Sequence, residues 1–196
     1  MPLPLSREEA RNLLCEWTES ESLRRHALAV ETAMRAYARR FGEDEDLWGQ
    51  VGLLHDLDYE RFPSPEDGHP RRGMAELERL GYPPEFVRAV ASHADYLGVP
   101  RRSILERTLY AVDELCGFLA ACAYVRPQGI HGMRPASVRK KLKQPSFAAA
   151  VDRDALRRAA ADIDVEFDDH VAFVIAALEP EAAALGLDGS RAAVDG

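Results

Sequence analysis

From Ser6 onward the apolar residues recur at three- and four-residue intervals, and nowhere do they alternate over the length of a strand, so the pattern predicts helices throughout. Ser6-Arg7-Glu8-Glu9 is a capping box, which opens a first helix running to about Trp17. Ser20 caps a second, with Leu23, Ala27, Val30, Met34 and Tyr37 on one stripe and a stop at Phe41-Gly42. The acidic stretch Gly42-Glu43-Asp44-Glu45-Asp46 suits the positive end of a third helix, whose Leu47, Val51 and Leu54 lead into His55-Asp56. Residues 61–70 hold three prolines and a glycine and read as a loop. A fourth helix follows over 71–80, closed by Gly81 and Pro83-Pro84. A fifth over 85–91 buries Phe86, Val87 and Val90 and delivers His93.

The longest apolar pattern, 104–125, keeps Leu105, Leu109, Val112, Cys116 and Leu119 at helical spacing with Asp113 in its middle. After a loop from Pro127 to Pro135, a short basic helix is expected over 136–142 and two more over 153–161 and 165–178. The fold class is therefore all-α, a compact single-domain helical bundle over 1–187, with 188–196 as a frayed C-terminal tail.

Composition narrows the function classes. The 196 residues are 46% hydrophobic and 30% charged, enough for one real core but not for a second full domain. A formal net charge of -8 argues against a nucleic-acid partner, which calls for a basic surface. No stretch approaches the ~20 apolar residues of a membrane span, and the N-terminus lacks the pattern of a secretory leader. A cytoplasmic protein is expected. The odd cysteine count, Cys15, Cys116 and Cys122, without zinc-knuckle spacing, fits buried thiols in a reducing compartment. A homodimer is compatible with all of this.

Against that background the histidines and certain aspartates stand out. His26, His55, Asp56, His69, His93 and Asp113 each fall on a separate predicted helix or at a loop-to-helix junction, apart from the adjacent His55-Asp56 pair. Imidazole nitrogen and carboxylate oxygen suit iron, zinc, manganese and related divalent ions, and a bundle can converge such side chains on one point. Neighbours on a helix point ~100° apart, so His55 and Asp56 grip one ion only near a helix end. Asp113 among Leu109, Val112 and Cys116 would otherwise be a costly buried charge. Asp58 is a candidate either to orient a ligand or to act as general base. Arg126 and the basic run around Lys140 and Lys141 are candidates to receive substrate phosphates. Tyr59, Phe62, Tyr96 and Tyr124 are candidate walls of a substrate pocket. His131 and His170 fit no ligand slot and read as surface or boundary residues.

The ordered set His26, His55-Asp56 and Asp113 resembles the H…HD…D pattern of the HD superfamily of metal-dependent phosphohydrolases. His69 and His93 extend it to H…HD…H…H…D, similar to the members that hold two metals. The resemblance spans about residues 6–179, and Leu53 to Glu60, Leu109 to Pro127 and Ser137 to Val151 look especially like a group of small bacterial predicted HD hydrolases. It implies a helical domain and two divalent ions, from among iron, manganese, zinc, nickel and magnesium, bridged by Asp56. Many relatives follow the HD pair with Ile-Gly and a basic residue, where this chain has Leu57-Asp58-Tyr59 and so lacks that phosphate contact. His93-Ala94 stands where trinuclear relatives have paired histidines, so two metals are expected rather than three.

The activity implied is hydrolysis of a phosphomonoester, nucleotide or phosphoanhydride by a metal-activated water. Two other readings keep the same residues: a di-iron oxygenase, as in some six-ligand relatives, and a non-catalytic nucleotide-binding module.

Overall fold

The computed structural model describes residues 2–190, and among them every regular element is a helix. They gather into two compact units, one up to Tyr110 and one from Ala111.

The first unit holds α1 (Arg7–Trp17), α2 (Glu21–Phe41), α3 (Glu45–Leu54), α4 (Arg71–Leu80), α5 (Pro84–His93), a 3-10 turn at Asp95–Leu97 and the start of α6 (Ile104–Tyr124). Capping fixes the early boundaries. Ser6 and Glu9 exchange the bonds of a capping box, and the side chains of Ser20 and Asp44 accept from amides at the starts of α2 and α3. Gly42 closes α2 in the left-handed region at φ 73°, a conformation that costs glycine nothing. The core is built from Val30, Met34, Tyr37, Trp48, Val51, Leu54, Leu77, Phe86 and Leu109.

What positions the site is the tight approach of α3 to α2. A Cβ added at Gly52 would lie 2.9 Å from the Val30 carbonyl oxygen and 3.0 Å from Glu31 Cα, so only glycine lets the two backbones come this close. Beside that contact the buried Glu31 carboxylate takes Arg7 Nε at 2.6 Å and Arg35 Nε at 3.1 Å, a charge placed inside only because it is paired.

The second unit holds the rest of α6, α7 (Pro135–Leu142), α8 (Arg153–Asp162), α9 (Phe167–Leu178), a 3-10 turn at Glu179–Glu181 and a short α10 (Ala182–Leu185). Its buried side chains include Leu115, Phe118, Leu119, Val138, Leu156, Val171, Val174 and Leu178. Residues 191–196 of the expected tail lie outside the described residues. Leu187 is buried and its carbonyl accepts from the Ile130 amide at 2.7 Å, so the chain is anchored up to the point where fraying was expected to begin.

Two expectations are corrected. His170 is fully buried, not at the surface, because its Nε2 donates to the Ala111 carbonyl at 3.0 Å and thereby satisfies the imidazole inside an apolar layer. Cys15 is exposed whereas Cys116 and Cys122 are buried, since α1 turns Ala10 and Leu14 inward and leaves Cys15 on another face. No helix among the described residues is long and apolar enough to cross a membrane.

Candidate metal centre

α3 ends at Leu54 and His55 is its C-cap, after which residues 55–70 run through turns with no regular helix. The helix end is what lets adjacent residues converge. His55 Nε2 lies 3.4 Å from Asp56 Oδ2. His69 enters from the residue pair before α4, and His93 is the last residue of α5. Both bring Nε2 to 3.4 Å from Asp56 Oδ1, and their two Nε2 atoms are 3.2 Å apart. His26 reaches in from α2, its ring centroid 5.5 Å from that of His55.

Two ligand clusters result, His26 with His55 and Asp56, and Asp56 with His69 and His93. In each, the ligand atoms lie within 4.8 Å of one another, and Asp56 belongs to both.

The hydrogen bonds at the far side of each ring decide whether these groups fit a cation. His55 Nδ1 faces the Gly52 carbonyl at 2.8 Å, His93 Nδ1 the Val90 carbonyl at 2.5 Å, and His69 Nδ1 the Asp58 carboxylate at 2.8 Å. Each Nδ1 therefore carries the hydrogen, which leaves the Nε2 lone pair pointing at the cluster. Lone pairs of His69 and His93 directed at each other and at one carboxylate oxygen repel, and a shared cation turns that repulsion into ligation. The donor set, imidazole with carboxylate and no thiolate, suits borderline first-row ions such as iron, manganese, zinc and nickel. Burial alone would raise the Asp56 carboxyl, but the adjoining imidazoles of His55 and His93 pull it well below the usual carboxylate range. It stays ionised, the form in which a carboxylate can ligate a cation.

Asp58 is fully buried, with Oδ1 on His69 Nδ1 and Oδ2 accepting from the Gly73 amide at 2.6 Å. Both oxygens are engaged, so of its two expected roles the geometry favours orienting His69 over proton transfer from substrate. Gly73 is the partner that the sequence reading missed. Its Cβ would sit 3.2 Å from Asp58 Cγ, and a glycine within a helix was the available signal. Tyr96 Oη donates to the His69 carbonyl at 2.8 Å, and the Tyr59 ring stands edge-on to His69 at 5.3 Å. Tyr59, Phe62 and Tyr96 are each about half exposed.

The second unit carries the remaining candidates. Asp113 is half-buried on α6, where burial and the nearby Asp113 charge both push the Cys116 thiol pKa up. Its place in the ligand set rests on the pattern of the sequence. Arg126, Lys140 and Lys141 come together on the wall of one cavity of about 240 Å³.

Residues 23–117 match the family model of the HD domain. No curated protein and no solved structure matches.

Proposed function

With residues 23–117 belonging to the HD domain family, we propose that the chain is a metal-dependent phosphohydrolase acting on a phosphomonoester, nucleotide or phosphoanhydride. The observation that carries this reading is the pair of ligand clusters sharing Asp56. His26, His55 and Asp56 would hold one divalent ion and Asp56, His69 and His93 a second, with Asp113 completing the set as the sequence pattern implies. Two ions held there would polarise a phosphoryl oxygen and bring the pKa of a water towards ~7.

The protein's own residues supply the rest. The carbonyls of Gly52 and Val90 and the Asp58 carboxylate fix the ring planes and tautomers, so no reorganisation is needed when substrate arrives. Tyr59, Phe62 and Tyr96 offer aromatic faces beside the cluster, suited to the organic part of a small substrate. The partner is accordingly a small phosphate-bearing molecule, with no nucleic-acid or membrane partner and a cytoplasmic setting.

The test joins metal content to phosphate release. Protein purified without chelator is expected to carry about two equivalents of a first-row ion, falling towards one in His69→Ala and in His93→Ala, and to release phosphate from some member of a panel of phosphate esters and nucleotides. One equivalent or fewer, unchanged by both substitutions, overturns the binuclear site. Dioxygen uptake by the iron-loaded, reduced protein, with no phosphate released across the panel, overturns the hydrolase in favour of an oxygenase.

A further inference from the structure

A cavity in the second unit has a lining of unusual make-up. Its apolar floor is Cys122 from α6 and Met133 from the following loop, both buried. Around this floor stand Arg126, Ser137, Lys140 and Lys141. None of the lining residues carries a carboxylate. In a chain of net charge -8, this is a local reversal of sign.

The state of each cation sharpens the picture. Arg139, on the same helix, is paired with Asp168. Lys140 and Lys141 have no carboxylate partner among the described residues, and Lys141 Nζ rests over the Phe147 ring at 4.5 Å. Arg126 gives Nε to the Gly129 carbonyl at 2.8 Å and Nη2 to the His131 carbonyl at 3.0 Å, which ties it to the loop as a fixed charge. The charges are felt at the floor. Burial pushes the Cys122 thiol up to about 11, against the pull of Lys141 and Arg126. Lysines in the last turn of α7 also complement the helix dipole, but that role does not call for an apolar recess or for the arginine beyond it.

We infer that this cavity binds a small amphiphilic anion, an aryl or short acyl phosphate or phosphonate, with its apolar group on Cys122 and Met133 and its anionic head between Lys140, Lys141 and Arg126. Three cationic groups favour a dianionic head over a carboxylate, and the Ser137 hydroxyl adds a hydrogen-bond donor. A largely apolar hollow with a few convergent polar groups is the usual form of a small-molecule site.

Calorimetric titration of benzylphosphonate into the full-length, metal-loaded protein tests this, since the phosphonate is not hydrolysed. Phenylacetate and benzyl alcohol serve as carboxylate and neutral comparisons. Wild type and Asp56→Ala are both expected to bind the phosphonate at the second-unit site, with phenylacetate at least tenfold weaker and the alcohol weaker still. Lys140→Gln/Lys141→Met is expected to lose at least tenfold at that site while its metal content stays that of wild type. Arg126 is left in place because it holds the loop. Binding that vanishes in Asp56→Ala belongs to the metal centre and overturns the inference, as does a titration unchanged in the double variant or insensitive to the charge of the head group. Failure here leaves the metal content and phosphate release of the wild type untouched.

Discussion

At the scale of single residues, the division of labour between Asp56 and Asp58 is the informative contrast. Both are acidic, two positions apart, yet one is turned towards four imidazoles and the other is sealed behind His69. Replacing Asp58 by Asn keeps the shape but presents an amide where His69 Nδ1 and the Gly73 amide both need an acceptor. One of the two bonds is lost, and the His69 ring is free to choose the wrong tautomer. Loss of such a supporting partner typically costs ~10–100-fold in metal affinity. Asp58→Asn is therefore expected to weaken the second ion by about that factor in a competitive chelator titration, while the ion held by His26, His55 and Asp56 binds as before. An equal loss at both ions would show Asp58 acting on the whole site instead. The sequence displayed Asp58 and His69 but not their bond, because the ten intervening residues of turn and loop carry no periodicity from which to place one against the other.

At the scale of elements, boundaries set by local chemistry were readable and those set by packing were not. The α4 span of Arg71–Leu80 agrees with the sequence reading because glycine and two prolines close it. α5 runs two residues past its expected end, through Ser92 to His93. Ser92 is polar by composition but buried, its hydroxyl donating to the Ala89 carbonyl at 2.9 Å. The 3-10 turns and α10 have too few residues to show a repeat. Least visible was the reason α2 and α3 lie so close, since a glycine's contribution is the absence of a side chain.

Two alanine substitutions expose that difference. At Gly52 the new methyl group meets backbone of α2 at 2.9–3.0 Å, which cannot swing aside. The overpacking cost of ~1–3 kcal/mol exceeds the gain of up to ~1 kcal/mol in helix propensity, so Gly52→Ala should lower stability by about 1–2 kcal/mol in urea unfolding. It should also move His55 away from His26 and weaken metal binding. Gly117, on the exposed face of α6, meets nothing within 4 Å. Gly117→Ala should raise stability by roughly 0.5–1 kcal/mol. If the two variants shift the midpoint in the same direction, the close approach of α2 and α3 is not what constrains Gly52.

At the scale of the molecule, the ligands of the first unit come from four separate segments of the chain. His26 lies on α2, His55 and Asp56 at the end of α3, His69 before α4 and His93 at the end of α5, all in the first unit. An ion that binds this arrangement and not the unfolded chain stabilises it by mass action, about 2.7 kcal/mol at a free concentration 100 times its Kd. The stabilisation has an address. Hydrogen exchange of metal-loaded against chelated protein should show added protection in the peptides covering 50–75 and 85–95. Asp113 makes this a test of the sequence pattern as well, because its place among the ligands rests on that pattern. If it ligates, protection extends to the peptide around α6 in wild type and is lost from that peptide in Asp113→Ala, with metal content falling in step. If protection stops at α5 and Asp113→Ala keeps its metal, the ligand set ends with the five residues that the first unit supplies.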